Sequence, residues 1–239
     1  MTFTSPSPPM IPARYHGGTQ TPRAIVIHGT VSHDDPGTAR SIAGWWHGRT
    51  SPKTSAHYVV DPGEVIQCVG DHAIAYHCGH NQDSIGVELC DEQVGPASRW
   101  DDADSEAILA RAARLVADLC LAYGIDPVRP TVAALKAHGP HGIAGHVDYS
   151  QAFHQSTHTD PGPDFPWTDF LSAVRMNIAG SKAAVAKSAA PKPAVSHPNA
   201  DDALAAADRG IRASSGARAA TWRKLRALAV QLGGKTTTR

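Results

Sequence analysis

The sequence predicts an α/β protein: a central mixed β-sheet flanked by helices, followed by a linker and a short helical tail. Three observations predict it. Short apolar runs alternate with amphipathic stretches between about Ala24 and Ile178, the pattern of strands alternating with helices. Apolar residues make up 41% of the 239 residues, enough to bury a real core in one domain with a small appendage. From about Gly180 the composition shifts to Ala, Lys, Ser and Pro, which is linker chemistry.

The elements follow in order. Residues 1–23 are rich in Pro, Ser, Thr and Gly and read as a lead-in segment. Ala24-Ile25-Val26-Ile27 is an apolar run ending at His28, a buried strand. Asp35-Pro36-Gly37-Thr38 starts a helix over 38–48, with Ile42, Trp45 and Trp46 turned inward. One of the adjacent tryptophans must point away from the core. His57–Val60 and Val65–Gln67 flank Asp61-Pro62-Gly63-Glu64, a hairpin with turn residues at the turn. Ser84–Leu89 is another strand. Ile108, Leu109, Ala112, Leu115, Val116 and Leu119 recur at helical spacing, so a helix spans 105–123 and Gly124 ends it. The Gly-rich stretch 139–145 and Gly145–Asp148 read as loop. A last helix over 167–177 carries Trp167, Phe170, Leu171 and Val174. The folded domain thus spans 24–179, the linker 180–200 and the tail 201–239. Helices are expected there over 203–209 and 218–232.

Composition excludes several classes. No run of 18 apolar residues exists, so no transmembrane segment is expected. The first twenty residues have no basic start and no apolar run, so no secretory signal peptide is expected. The four cysteines form no CxxC pair, and reduced thiols are the expectation. Gly234-Lys235-Thr236 lacks the upstream Gly and strand of a phosphate loop. A net charge of zero hides a split: from Gly180 onward 11 Lys+Arg face 3 Asp, a net +8, and the remainder carries −8. The tail is therefore expected to meet an anionic polymer or surface. Nucleic acid is not the expected partner, because the basic residues lack interleaved aromatics.

The chain has 14 histidines, and three positions carry an argument. His28 sits where an apolar strand meets a polar loop, the end of a sheet where ligands gather. His146 follows Gly145. His158 and Asp160 project to one side if extended, and Pro161 favours that conformation. Each also reads blandly, as a half-buried histidine or an ordinary Asp-Pro-Gly turn. Together His28, His146 and Asp160 have the composition of a catalytic zinc site, two imidazoles and a carboxylate with a fourth position open. The set accommodates other divalent ions too. Glu88 is the candidate base: strand alternation places it with Gly86 and Cys90, away from Ile85, Val87 and Leu89. An outward Glu on an edge strand is the alternative.

Taken together, the motifs resemble the type 2 N-acetylmuramoyl-L-alanine amidases, which share a fold with peptidoglycan recognition proteins. The matching pieces run in order over about 24–177. They are Ala24-Ile-Val-Ile-His28-Gly-Thr30, Ser55-Ala-His-Tyr-Val-Val-Asp61, Glu64-Val-Ile-Gln67, Ala75-Tyr-His-Cys-Gly79 with Asn81, Ser84-Ile-Gly-Val-Glu88-Leu89, Gly145-His146 and Thr159-Asp160-Pro-Gly162. The resemblance implies that His28, His146 and Asp160 bind one zinc ion and that Glu88 is the acid/base. It implies that His158 stabilises the oxyanion, in a slot usually held by Lys or Thr, and that His77 lies at the edge of the substrate cleft. Ala56 stands where some members carry a catalytic Tyr, so no Tyr role carries over. The implied activity is hydrolysis of the amide between N-acetylmuramic acid and L-alanine of peptidoglycan. The pattern is most similar to an endolysin of an actinobacterial phage. Such a protein stays in the host cytoplasm until released onto the wall, with the basic tail on a wall polymer. The rival readings are a bacterial wall-remodelling or recycling amidase and a non-catalytic peptidoglycan-recognition module.

Overall fold

The computed structural model of the chain describes residues 7–91 and 97–189. Its strands are β1 (Ala24–Gly29), β2 (Tyr58–Val60), β3 (Val65–Gln67), β4 (Ser84–Leu89) and β5 (Gly142–Gly145). They form one mixed sheet in the order β3-β2-β4-β1-β5. β1 runs parallel to β4 and β5, β2 parallel to β4 and antiparallel to β3. The helices are α1 (Thr38–Gly48), α2 (Ala103–Tyr123), α3 (Val132–His138), α4 (His146–Phe153) and α5 (Trp167–Ala189). The expected sheet flanked by helices is thus present.

Strand alternation divides the core into two parts. Ile25 and Ile27 of β1, Ile85, Val87 and Leu89 of β4, and Ile143 of β5 share one cluster with α2 and α5. Ala24 and Val26 face the other way, with Ala144, Leu135 of α3 and Tyr149 of α4. His28 and Glu88 continue this second face at the carboxyl ends of their strands, and the register sets them directly opposite each other.

α1 has Gly37 at its N-cap, with no side chain to offer the orphan donors. Buried Asp61 replaces it. Its carboxylate accepts hydrogen bonds from the Gly37 and Ala39 amides at 2.7 and 3.0 Å. It also accepts from the Gly63 and Glu64 amides, both at 2.7 Å. One side chain thereby ties α1 to the β2–β3 turn and fixes one wall of the cleft.

The differences from the sequence expectation are local. β5 and the start of α4 occupy a region read as loop, and α3 forms where the sequence reading placed no element. β5 is Gly-Ile-Ala-Gly, poor in strand-forming residues, and becomes a strand by pairing with β1. α5 continues past 177 into the expected linker. The expected lead-in is bonded into the body. The amides of Ile11, Ala13, Gly17 and Gln20 donate to carbonyls of Gln67, Cys68, Ile74 and His72, at 2.9, 2.8, 2.6 and 2.8 Å. Proline-rich chain shows no strand periodicity, yet it can line an edge wherever its remaining amides face the body. The expected tail helices at 203–209 and 218–232 lie outside the described residues.

Candidate active site

The site assembles where parallel strands end. His28 closes β1. β1 pairs with β5 through Ile27 and Gly145, so His146, the first residue of α4, emerges beside His28. Asp160 arrives from the 154–163 loop, and its backbone is fastened directly to α4. The Val147 amide donates to the Asp160 carbonyl at 3.0 Å. Gly145 permits this approach, because a Cβ there would lie 3.0 Å from Pro161 Cδ. Asp148 anchors the same helix start. Its carboxylate accepts the Gly145 amide at 2.8 Å and a two-point contact from Arg129, at 3.0 and 2.9 Å.

His28, His146 and Asp160 are all buried. Asp160 Oδ2 lies 2.9 Å from His28 Nδ1, and Oδ1 lies 3.1 Å from His146 Nδ1. One donor atom from each of the three residues lies within 4.8 Å of the others. Burial pushes the Asp160 carboxyl up, but hydrogen bonds with His146 and His28 outweigh it and hold the group below the usual carboxylate range. Burial also lowers His28, against the pull of Asp160. Neutral imidazole beside an ionised carboxylate is the protonation state a metal ion requires. His146 Nε2 is buried with no hydrogen-bond partner among the described residues. The residues therefore fit a divalent cation: two nitrogens and one anionic oxygen, converged and dry, at the floor of a cleft.

That cleft holds about 710 Å³. Glu88 faces it from the strand beside His28. Burial pushes its carboxyl up to about 8, and the charge of Asp160 adds to the effect. His158 stacks on His146, with ring centroids 4.9 Å apart, and its Nδ1 is 3.6 Å from Asp160 Oδ1. Its side chain is 71% exposed, so it overhangs the cleft rather than joining the buried donors. His77 also lines the cleft, but its ring is held behind His28. Of the tryptophan pair, Trp46 is core and Trp45 is 56% exposed on the cleft wall, with the Arg49 guanidinium 3.5 Å over its ring.

All six residues singled out in the sequence come together here. The Asp148–Arg129 anchor was not foreseen. Its signal was an acidic residue three positions after Gly145, a helix-start spacing that the loop reading hid. Ser84 contacts His77, and Asn81 holds the loop that carries it.

A cleft at the carboxyl ends of a mixed sheet, floored by two histidines and an aspartate that could hold a metal ion, defines a class of α/β proteins. The chain belongs to the N-acetylmuramoyl-L-alanine amidase family, whose family model (Amidase_2) matches residues 18–163. A probable N-acetylmuramoyl-L-alanine amidase of Bacillus licheniformis is 36% identical over 89 residues, 31% of this chain and 23% of that protein. The N-acetylmuramoyl-L-alanine amidase CwlA of Bacillus subtilis is 34% identical over 113 residues, 44% of this chain and 38% of that protein. The chain thus spans well under half the length of these relatives. Among solved structures, the Staphylococcus aureus hydrolase AmiA in complex with its ligand superposes with a TM-score of 0.56 at 16% identity, covering 75% of this chain and 87% of the chain in that structure. A mutant form of PlyL gives 0.51 at 19% identity, covering 71% of this chain and 98% of that chain. These two structures share the fold.

The Glu88 carboxyl has a testable consequence for stability. Its folded value lies above the ordinary 4.5, so the native state holds a proton that the unfolded chain releases. Stability is therefore lost as pH rises from about 4.5 to about 8. In metal-free protein, Glu88→Gln removes this loss. Its melting temperature should draw further above wild type between about pH 5 and pH 8. A difference that stays constant across that range would show that Glu88 ionises as it does in water.

Proposed function

We propose that this chain is a zinc-dependent N-acetylmuramoyl-L-alanine amidase that cuts peptidoglycan as a phage endolysin does. The observation that carries the reading is the convergence of His28, His146 and Asp160 at the floor of the cleft, with Glu88 opposite His28. Family membership and the names of the relatives supply the substrate. The phage assignment rests on the sequence resemblance.

When bound, zinc supplies a Lewis acid for the lactyl amide carbonyl and acidifies a water molecule. The chain's own residues do the rest. Glu88 accepts the proton of the attacking water and later donates it to the leaving nitrogen of L-alanine. A carboxyl whose value burial has raised toward neutrality suits both halves of that transfer. His158 overhangs the same floor and donates a hydrogen bond to the developing oxyanion. Such a donor is worth about 100-fold in rate or more. The exposed face of Trp45 and the edge of His77 receive the glycan and stem peptide along the cleft wall. A non-catalytic recognition module needs no carboxyl at position 88, so the cleft floor favours turnover. The partner proposed for the tail is an anionic wall polymer, on charge alone.

The test is product chemistry on purified peptidoglycan. Native protein should release N-terminal L-alanine without new reducing sugars. Chelation should abolish the release and zinc should restore it. Glu88→Gln should keep its zinc and lose at least about 100-fold in turnover. Wall binding without release from several wall types would favour the recognition module. Near-wild-type turnover by Glu88→Gln would remove Glu88 from the mechanism. A chain ending at Gly180 should bind host walls more weakly in a pull-down; unchanged binding would end the tail's proposed role.

A further inference from the structure

Beside the candidate metal ligands runs a hydrogen-bonded chain from His28 through His77 and Ser84 to the Asn81 carbonyl. His28 Nε2 lies 2.9 Å from His77 Nδ1. His77 Nε2 lies 3.1 Å from Ser84 Oγ. The Ser84 hydroxyl donates to the Asn81 carbonyl at 3.0 Å. The rings of His28 and His77 meet edge to face, at 87°.

Each link is itself held. The Asn81 side-chain oxygen accepts from the amides of His77 and Cys78, both at 2.9 Å, so the loop that carries His77 closes on itself. The Gln20 side chain clamps the backbone of Ser84, donating to its carbonyl at 2.9 Å and accepting from its amide at 3.3 Å. Gly86 leaves the space for the His77 ring. A Cβ there would sit 2.7 Å from His77 Cγ, so any larger residue would displace the ring from His28.

The polarity of this chain can run in two directions. In the first, Ser84 donates to His77, His77 donates through Nδ1 to His28, and His28 donates through Nδ1 to Asp160. That direction takes the Ser84 proton away from the Asn81 carbonyl, which lies 3.0 Å from Ser84 Oγ. In the second, His28 donates through Nε2 to His77, His77 donates through Nε2 to Ser84, and Ser84 donates to the Asn81 carbonyl. The chain then ends on a group that can only accept. Both directions carry the same number of protons, so they differ in tautomer and not in charge. The second leaves His28 Nδ1 as a bare lone pair facing Asp160. Two acceptors in contact require a cation between them.

We propose that His77, backed by Ser84 and the Asn81 carbonyl, is a positioning residue that fixes His28 as an Nδ1 metal ligand. Metal binding selects the second direction, which ends on the Asn81 carbonyl. Among the described residues no carboxylate hydrogen-bonds His77, so a neutral ring that accepts at Nδ1 and donates at Nε2 fits its surroundings. The inference rests on the metal-centre reading and deepens it. Partners in this position orient the ligand ring and raise its basicity, and losing one typically costs 10- to 100-fold in metal affinity.

The experiment measures zinc affinity by competition with a chromophoric chelator, on folded protein checked by its melting curve. His77→Ala should bind zinc roughly 10- to 100-fold more weakly than wild type. His77→Asn, whose amide oxygen takes the place of Nδ1 and can accept from His28 Nε2, should recover part of that loss. Ser84→Ala should lose less than His77→Ala, because it removes only the second link. Nitrogen NMR of zinc-loaded wild type should show His77 protonated at Nε2 and bare at Nδ1, which keeps the proposal testable even if His77→Ala does not fold. Unchanged zinc affinity in His77→Ala, or a zinc-loaded His77 protonated at Nδ1, would overturn it. Unchanged affinity with a raised KM would make His77 a substrate contact alone. Wild-type protein that binds no zinc would instead overturn the metal centre, and this proposal with it.

Discussion

A carboxylate buried between two imidazoles is unstable unless positive charge is supplied. Asp160 is in that position, 4% exposed, with His28 and His146 on either side. Water is largely excluded, so either a proton or a cation must lie between the oxygen and nitrogen atoms. The rest of the domain is arranged around that requirement. The sheet brings His28 and Glu88 side by side, the β5–α4 junction adds His146, and the Val147 amide fastens the Asp160 backbone to the same helix start.

Rigidity is concentrated behind the donors. Arg129 and Asp148 pin the start of α4, while Gln20, Ser84 and Asn81 pin His77 behind His28. The groups assigned to turnover sit on the open side. Glu88 looks into the cleft from a strand, and His158 hangs over it from a loop with most of its side chain in solvent. The cluster of candidate donors thus has a fixed floor and a looser rim.

Much of this was legible in the sequence, for physical reasons that differ by element. β1, β4 and α2 carry strong periodicity, and the alternation Ile85, Val87, Leu89 against Gly86, Glu88 places Glu88 on the face that lines the cleft. β5 and α4 were not legible. Gly-Ile-Ala-Gly has no strand signature of its own and is a strand only because β1 pairs with it. His146 therefore looked like a loop residue although it opens a helix. The segment before Ala24 misled in the same way, since its edge hydrogen bonds leave no hydrophobic pattern. His77 could be matched to a cleft histidine, but its place behind His28 depends on Gly86 and on contacts across the fold.

The measurement closest to the central claim is zinc stoichiometry on purified protein, for wild type and for His28→Ala, His146→Ala and Asp160→Ala. One ion per chain in wild type, lost in each of the three folded variants, is the result this account predicts. A full equivalent of zinc retained in a variant lacking any one of them would contradict it, because the cation would then lie outside the site that Asp160 closes.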